Sequence, residues 1–318
     1  MKKIVILDGY VANPGDLSWD RLKEFGELTV FDNTKHDEII ERAKDAFAIF
    51  TNKVIIDLDT MKQLPNLKFI GVLATGYNNV DIDGAKSLGI TVCNVPKYST
   101  HSVVQLVFAH LLNIVDQVHL HTESVIHGEW SRCPNFSYRL AEMIELNGLT
   151  MGIYGLGNIG MEVARIANAF GMRVISFTSK EQSQLPDYIT KVTKKEMFQQ
   201  SDVLSLNAPL TKENHHFVNT TTLKWMKPSA IVINTARGGL VDERALSKAL
   251  NEGHLFAAGL DVLDVEPPIP ENLLINARNC YVTPHIAWQS DKARTNLLEI
   301  TYQNLKAFVE DNPQNVVE

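Results

Sequence analysis

The chain has 318 residues, of which 45% are hydrophobic and 21% are charged, the composition of a soluble globular protein with room for about two domains. Its net charge of -7 at pH 7 argues against nucleic acid or an anionic membrane as the main partner, but allows a small anion at a local positive site. The three cysteines are far apart and form no Cys-x-x-Cys pair, so we expect reduced thiols, no metal site and a cytoplasmic protein.

The first part of the chain alternates short apolar runs with amphipathic patterns, which is typical of a parallel sheet with helices on both faces. The amphipathic patterns predict helices over residues 37–46 and 81–88. The apolar runs predict five strands, over residues 4–7, 28–31, 46–50, 69–73 and 90–95. A first α/β domain is therefore expected over residues 1–98.

Residues 102–119 form an unusually long apolar stretch with helical spacing. A long helix that joins two sheet domains would place a cleft at their junction. The histidines of this segment and of its exit show no metal-ligand spacing. We therefore expect solvated or capping roles for His110, His119, His121 and His127.

The second part of the chain opens with an apolar run that ends in Gly155-x-Gly157-x-x-Gly160 and continues into a helical pattern. In a dinucleotide-binding turn the first glycine permits the bend, the second lets the backbone approach the phosphates, and the third lets the helix pack on the strand. The helix N-terminus then faces the negative charge. Six strands are predicted in this part, over residues 151–154, 173–177, 203–206, 230–234, 257–260 and 281–283.

The last segment, residues 291–310, is again helical, with Leu297, Leu298, Thr301, Leu305 and Phe308 on one stripe. The first domain has few helices of its own. We therefore predict that the C-terminus returns to pack on the first domain.

Three polar residues follow predicted strands of the second domain, at the edge where ligands collect in open α/β sheets. Arg237 follows the strand at 230–234, Glu266 lies beyond the strand at 257–260, and His285 follows the strand at 281–283. Each residue alone fits an ordinary surface or capping role. Together at one edge of a nucleotide-binding sheet, they form a set that proton-coupled hydride transfer would use.

The chain resembles the D-isomer-specific 2-hydroxyacid dehydrogenase family over nearly its whole length. Within that family it looks most like the glycerate dehydrogenase (hydroxypyruvate reductase) branch, on residues 98–106 and 285–288. The family motifs are matched in order by residues 71–81, by the glycine motif at 155–160, by 234–238, by 259–262 with Glu266-Pro267, and by 283–287.

The resemblance implies a role for each polar residue. His285 would donate the proton to the carbonyl oxygen, and Glu266 would orient its ring and favour the protonated form. Arg237 would bind the substrate carboxylate, for which a guanidinium fork is suited. The backbone amides around Ala74, Thr75 and Gly76 would hold the same carboxylate. Domain closure would exclude water.

The resemblance also implies a nicotinamide cofactor, and Asp261 would bond its carboxamide. NAD-preferring Rossmann domains place an acidic residue about 20 residues after the glycines. Here Thr178 occupies that position, followed by Ser179 and Lys180, which favours NADP over NAD; Glu181 could still return to the ribose. The expected cofactor contacts are Val104, Gly155, Leu156, Gly157, Asn158, Ile159, Gly160, Thr178, Ser179, Lys180, Ala208, Pro209, Thr235, Ala236, Arg237, Asp261 and His285.

The sequence thus predicts an α/β protein of two doubly wound parallel-sheet domains. A Rossmann nucleotide domain, residues 99–288, would be inserted in a smaller flavodoxin-like substrate domain, residues 1–98 plus 289–318. The expected activity is reversible reduction of a short 2-keto acid, with hydroxypyruvate or glyoxylate favoured, to the D-2-hydroxyacid by NAD(P)H.

Two alternatives stay open. One is a dehydrogenase for another D-2-hydroxyacid, D-lactate or 3-phosphoglycerate. The other is a nucleotide-sensing corepressor or scaffold with the same fold. Family resemblance also implies a homodimer formed through the nucleotide domain, with Trp130-Ser131-Arg132 in the region of the contact.

Overall fold

The computed structural model describes residues 1–317, which form two compact units. Unit 1 comprises Met1–Ser99 together with the C-terminal segment from Trp288, and unit 2 comprises Thr100–Ala287. Each unit contains one parallel sheet with helices packed against it. The α/β fold class with two parallel-sheet domains is confirmed.

Unit 1 has a five-stranded sheet in the order β2-β1-β3-β4-β5, the flavodoxin-like order. All five predicted strands are present, with ends that differ from the predictions by at most two residues. They are β1 (Lys3–Ile6), β2 (Glu27–Val30), β3 (Ala46–Thr51), β4 (Phe69–Val72) and β5 (Thr91–Cys93). The helices between them are short: α1 (Ile39–Ala43), α2 (Leu58–Lys62) and α3 (Ile82–Ser87), with 3₁₀ turns at Asp20–Phe25 and His36–Glu38.

Unit 2 begins with three helices, α4 (Thr100–Asp116), α5 (Val118–Ile126) and α6 (Glu129–Arg132). Its seven strands are β6 (Thr150–Tyr154), β7 (Arg173–Phe177), β8 (Ile189–Lys191), β9 (Val203–Leu206), β10 (Ile231–Asn234), β11 (Ala257–Leu260) and β12 (Cys280–Val282). The helices among them are α7 (Asn158–Ala169), α8 (Lys194–Gln200), α9 (Thr220–Leu223) and α10 (Glu243–Asn251).

The unit 2 sheet has the order β12-β11-β10-β9-β6-β7-β8, with every pair parallel. The order in which successive strands are added to the sheet reverses between β6 and β9. In open α/β sheets, ligands bind outside the carboxyl ends of the strands at such a reversal. The glycine motif lies at that point, because it directly follows β6.

Two sequence-based expectations for unit 2 are wrong in detail. The sequence predicted six strands, and β8 is a seventh, an edge strand of three residues that pairs with β7. Only Ile189 of this strand is buried, so no alternation could be recognised. The long helix predicted at 102–119 is interrupted at Gln117, whose φ of 48° is left-handed. The apolar pattern continues through the break and conceals it.

The last helix, α11 (Asp291–Val309), packs on the unit 1 sheet against β4. Its buried Leu297 and Leu305 belong to the same core cluster as Ile4 and Phe69. Ser290 caps the helix by accepting a hydrogen bond from the Ala293 N–H. Among residues 1–317, no single helix is long and apolar enough to cross a membrane; α4 and α5 meet that test only together, across a 57° bend.

Candidate active site

The glycine turn after β6 has the geometry of a phosphate-binding loop. Gly155 has a φ of 94°, and a Cβ there would lie 2.6 Å from the Ala208 nitrogen. A Cβ on Gly160 would lie 2.0 Å from the Gly155 carbonyl oxygen, so helix α7 can approach the strand this closely only with glycine. A Cβ on Gly157 would meet nothing within 4 Å. The N-terminus of α7, starting at Asn158, is thus open for an anion.

The loop after β7 carries a cation to the glycine turn. Lys180 Nζ donates a 2.9 Å hydrogen bond to the carbonyl oxygen of Leu156, and its own N–H donates to Thr178 Oγ1 at 3.2 Å. Glu181 is directed elsewhere, since its carboxylate lies 3.4 Å from the Lys191 ammonium. The position of the usual acidic residue is therefore held by hydroxyl and ammonium groups, with Ser179 exposed beside them.

Two buried polar atoms at the carboxyl ends of β9 and β10 have no hydrogen-bond partner among residues 1–317. They are Asn207 Oδ1 and Thr235 Oγ1. Buried polar atoms are normally paired, so these two fit a polar ligand that lies along this edge. Ala208, Pro209 and Ala236 flank them in sequence. Together with the glycine turn, this edge fits a dinucleotide.

Val104, one of the expected cofactor contacts, lies in α4 and is buried in the core that includes Met151 and Ile153.

His285 and Glu266 are in direct contact. His285 Nδ1 lies 2.5 Å from Glu266 Oε2, and both side chains remain partly accessible. Glu266 is itself anchored, because its Oε1 accepts a 3.0 Å hydrogen bond from the Leu263 N–H. The contact at Nδ1 leaves Nε2 as the ring atom available to a substrate. This is the geometry of a histidine acid–base group oriented by a carboxylate.

Arg237 lies at the same edge of the sheet, in the loop that follows strand β10. Asn234 shapes this turn: its Oδ1 accepts from the Ala236 N–H at 3.0 Å, and its Nδ2 donates to the Arg237 carbonyl at 2.9 Å. The guanidinium is half-buried, and its Nη1 donates to the Ala236 carbonyl at 2.7 Å. The neighbouring Gly238 packs so closely that a Cβ there would lie 2.0 Å from the Leu263 carbonyl.

Three adjacent strands position these residues. The strands β10, β11 and β12 are neighbours and parallel, so the loops that follow them leave from one edge. The loop after β10 carries Arg237, that after β11 carries Glu266, and that after β12 carries His285. A guanidinium and an imidazole paired with a carboxylate are thereby held at one edge of the sheet.

Asp261, at the end of β11, is 1% exposed, and its carboxylate accepts three hydrogen bonds. The donors are the Thr283 hydroxyl and the N–H groups of Ile286 and Ala287. Its Oδ2 accepts only the bond from Ala287, which leaves that oxygen a lone pair for a further donor.

The unit 1 loop at residues 74–76 is exposed or half-buried, with a fixed backbone. The Ala74 carbonyl accepts from the Val95 N–H at 3.0 Å, and the Thr75 carbonyl accepts from Asn94 Nδ2 at 2.7 Å. Thr75 Oγ1 donates to the Val95 carbonyl at 2.9 Å. Gly76 continues this turn. The loop thus has a defined shape within unit 1.

The expectation that His110 has a solvated or capping role is wrong. This side chain is 5% exposed, and its Nε2 lies 3.0 Å from Thr283 Oγ1. Its place on the apolar stripe of α4, between Val107 and Leu111, is the signal in the sequence that could have indicated burial. The sequence indicates Thr283 only as the first residue of the family motif at 283–287.

Comparison with known proteins gives concordant matches. A model of the D-isomer specific 2-hydroxyacid dehydrogenase NAD binding domain matches residues 108–287. The chain is 42% identical over 319 residues to the hydroxypyruvate reductase of Blautia hydrogenotrophica, with 99% of each protein covered. It is 40% identical over 320 residues to the glycerate dehydrogenase of Methylorubrum extorquens, covering 100% of this chain and 99% of that protein.

A solved structure with the same fold contains a bound nicotinamide cofactor. It is the NADPH-dependent glyoxylate/hydroxypyruvate reductase of Sinorhizobium meliloti, in complex with NADP and malonate. The TM-score is 0.85 at 28% sequence identity, and the match covers 99% of this chain and 96% of that one.

Replacing Glu266 by Gln tests the pairing with His285. The amide oxygen still accepts from the ring, so the orientation is kept, while the negative charge that favours the protonated ring is lost. A hydrogen bond to a charged group contributes about 1.5–3 kcal/mol, so we expect kcat/KM for reduction to fall by about 10- to 100-fold at neutral pH.

The measurement is kcat/KM for reduction at neutral pH in the wild type, E266Q and E271Q. Glu271 is exposed in the same loop, and its substitution by Gln should leave kcat/KM unchanged. An E266Q enzyme with the wild-type kcat/KM would contradict the assigned role of the carboxylate.

Proposed function

Because the chain belongs to the D-isomer specific 2-hydroxyacid dehydrogenase family and is an NAD(P)-dependent oxidoreductase, we propose that it reduces hydroxypyruvate or glyoxylate to the corresponding 2-hydroxyacid. The observation that carries this proposal is the 2.5 Å contact between His285 and Glu266 at the sheet edge that also holds Arg237. The reductases and the glycerate dehydrogenase that resemble the chain along its whole length support this substrate class.

The proton is supplied by His285. Glu266 holds Nδ1, so Nε2 carries the proton that moves to the carbonyl oxygen during reduction and returns during oxidation. Glu266 offsets the positive charge of the ring before the transfer. When bound, the nicotinamide supplies or accepts the hydride at the substrate carbon.

The substrate carboxylate is bound by Arg237. A guanidinium offers parallel N–H donors to both carboxylate oxygens and fixes the rotation of a small substrate. The turn formed by Asn234 holds the backbone of this arginine. We assign the carboxamide contact of the nicotinamide to the lone pair that remains on Asp261 Oδ2.

The substrate class is tested by following the loss of NAD(P)H absorbance with hydroxypyruvate, glyoxylate, pyruvate and 3-phosphohydroxypyruvate. We expect the highest kcat/KM with hydroxypyruvate or glyoxylate. Higher values with pyruvate or the phosphorylated acid would identify the enzyme as a dehydrogenase of D-lactate or 3-phosphoglycerate. No turnover of any 2-keto acid would favour a binding protein with this fold.

Replacing His285 by Gln in the same assay tests the proton donor. General acid catalysis contributes about 10²–10⁴-fold, so kcat should fall by that factor, while the Kd of the reduced cofactor should change little. Turnover within about tenfold of the wild type would contradict the assignment of the proton to His285.

We also propose that the enzyme prefers NADPH. The support is the Lys180 ammonium at the Leu156 carbonyl, close to the glycine turn, together with Thr178 and Ser179 in place of an acidic residue. An ammonium at this point attracts a 2′-phosphate, and no carboxylate of the loop opposes it, since Glu181 pairs with Lys191.

The cofactor preference is measured as kcat/KM for NADPH and for NADH. For K180A we expect about a tenfold rise in KM for NADPH, the effect of losing one hydrogen bond to a charged group, and little change for NADH. Lys195 is exposed on α8, and K195A is the matched control. A strong NADH preference of the wild type would contradict the proposal.

We propose that a second copy of the chain covers an apolar patch of unit 2. The patch consists of the exposed Val118, Val125, Ile126, Trp130, Phe136 and Met143, of which Ile126 is 75% and Phe136 92% exposed. Soluble monomers rarely expose so many large apolar side chains together. The Trp130 indole N–H donates to the Phe136 carbonyl at 2.9 Å and holds these two residues beside each other. Val118, Val125, Ile126 and Met143 line one shallow depression.

Sedimentation velocity tests this assignment. The wild type should sediment as a dimer at micromolar concentration, and I126D should shift it to monomer, because a carboxylate would be desolvated in the interface. L88D, at an exposed leucine after α3 in unit 1, should leave the dimer intact. A monomeric wild type would contradict the proposal.

A further inference from the structure

His285 has a backbone conformation that its surroundings must maintain. Its φ is 55°, in the left-handed region, and its N–H donates to the Thr283 carbonyl at 2.9 Å around Pro284. Such a conformation is unfavourable for a residue with a side chain and persists only where neighbouring groups enforce it. The direction of the imidazole depends on this turn.

The carboxylate of Asp261 holds the turn on both sides of His285. Before His285, the Thr283 hydroxyl donates to Oδ1 at 2.6 Å. After it, the Ile286 N–H donates to Oδ1 at 2.9 Å and the Ala287 N–H donates to Oδ2 at 2.8 Å. One buried carboxylate thus bridges the residues that flank the proton donor.

The direction of the hydrogen bond from His110 follows from proton counting. Thr283 has one hydroxyl proton, which the short bond to Asp261 uses, so Thr283 Oγ1 must accept from His110 Nε2 at 3.0 Å. Burial lowers the pKa of His110, and the negative charge of Asp261 opposes that shift only in part. His110 is therefore a neutral imidazole with its proton on Nε2.

Helix α4 is seated closely enough to make this bond because β11 has a glycine at the contact. A Cβ on Gly259 would lie 2.7 Å from the Cβ of His110. The same helix reaches the far end of the turn, where Ser102 Oγ donates to the Ala287 carbonyl at 2.6 Å. Two residues of α4 therefore contact the two ends of the turn that carries His285.

We propose that His110 and Thr283 are positioning residues for the proton donor, acting through the chain His110–Thr283–Asp261 on the backbone of His285. The effect on turnover rests on the proposed function, since it concerns the proton transfer by His285. Neither side chain needs to touch the substrate. Their role is to keep Asp261 in the position from which it fixes the amides of Ile286 and Ala287.

The first measurement does not depend on turnover. Amide hydrogen exchange is followed by mass spectrometry on the peptide that contains Ile286 and Ala287, in the wild type, H110L, T283V, H110Q and T283S. We expect at least about tenfold faster exchange of this peptide in T283V and a smaller acceleration in H110L, because local opening becomes easier when the hydrogen-bond chain is broken. H110Q and T283S keep the donor and the hydroxyl and should restore most of the protection.

The second measurement separates positioning from general loss of stability. For T283V and H110L we expect kcat to fall by about five- to twentyfold and KM for the cofactor to rise by a smaller factor, because Asp261 is only one of the proposed cofactor contacts. The double variant should be no slower than T283V alone, because His110 has nothing to hold once the hydroxyl is absent. H254L, at an exposed histidine after α10, is the matched control.

The outcomes separate this proposal from the proposed function. Unchanged exchange at Ile286 and Ala287 in T283V, or additive losses of kcat in the double variant, would overturn the positioning role. Faster exchange in T283V, reversed in T283S, would support that role even if the wild type reduced no 2-keto acid, in which case only the proposed function would fail.

Discussion

Three neighbouring parallel strands, β10, β11 and β12, end at one edge of the unit 2 sheet, and the arrangement of the reactive groups depends on that constraint. Arg237, Glu266 and His285 are distant in sequence, and each follows a different strand. Because parallel strands present their carboxyl ends together, three loops of unrelated sequence can be brought to one place. The sheet is buried on both faces, so the positions of the strand ends are held by the core.

The hydrogen bonds to the buried carboxylate of Asp261 are a second constraint on the geometry of the site. A charge that is 1% exposed is strongly unfavourable unless hydrogen bonds replace its hydration, and here three donors do so. All three donors belong to the turn around His285, so the need to satisfy Asp261 also fixes this turn. The left-handed backbone of His285, which would cost about 1–3 kcal/mol alone, is stable in that setting.

Much of the fold and of the site could be predicted from the sequence, where the signal is local. The glycine motif, the apolar strands and the apolar stripe of α11 can each be recognised within a short segment of the sequence. The edge strand β8 and the break at Gln117 could not be predicted, because one is too short to show a pattern and the other lies inside a continuous apolar run.

The hydrogen-bond partners of buried polar residues could not be predicted from the sequence for a different reason. The pairing of His110 with Thr283 depends on how α4 lies on β11, across 173 residues of sequence. Spacing along the chain contains no information on that contact. Motifs indicate the residues that are proposed to contact a substrate, whereas the partners that hold His285 in place are evident only in the folded structure.

A crystal structure with the reduced cofactor and oxamate, an unreactive analogue of a short 2-keto acid, tests directly whether His285 is the proton donor. We expect His285 Nε2 within about 2.6–3.2 Å of the analogue's carbonyl oxygen, with the Arg237 guanidinium on its carboxylate and Nδ1 still on Glu266. An imidazole directed away from the bound analogue, with another group of the protein at its carbonyl oxygen, would show that His285 is not the proton donor.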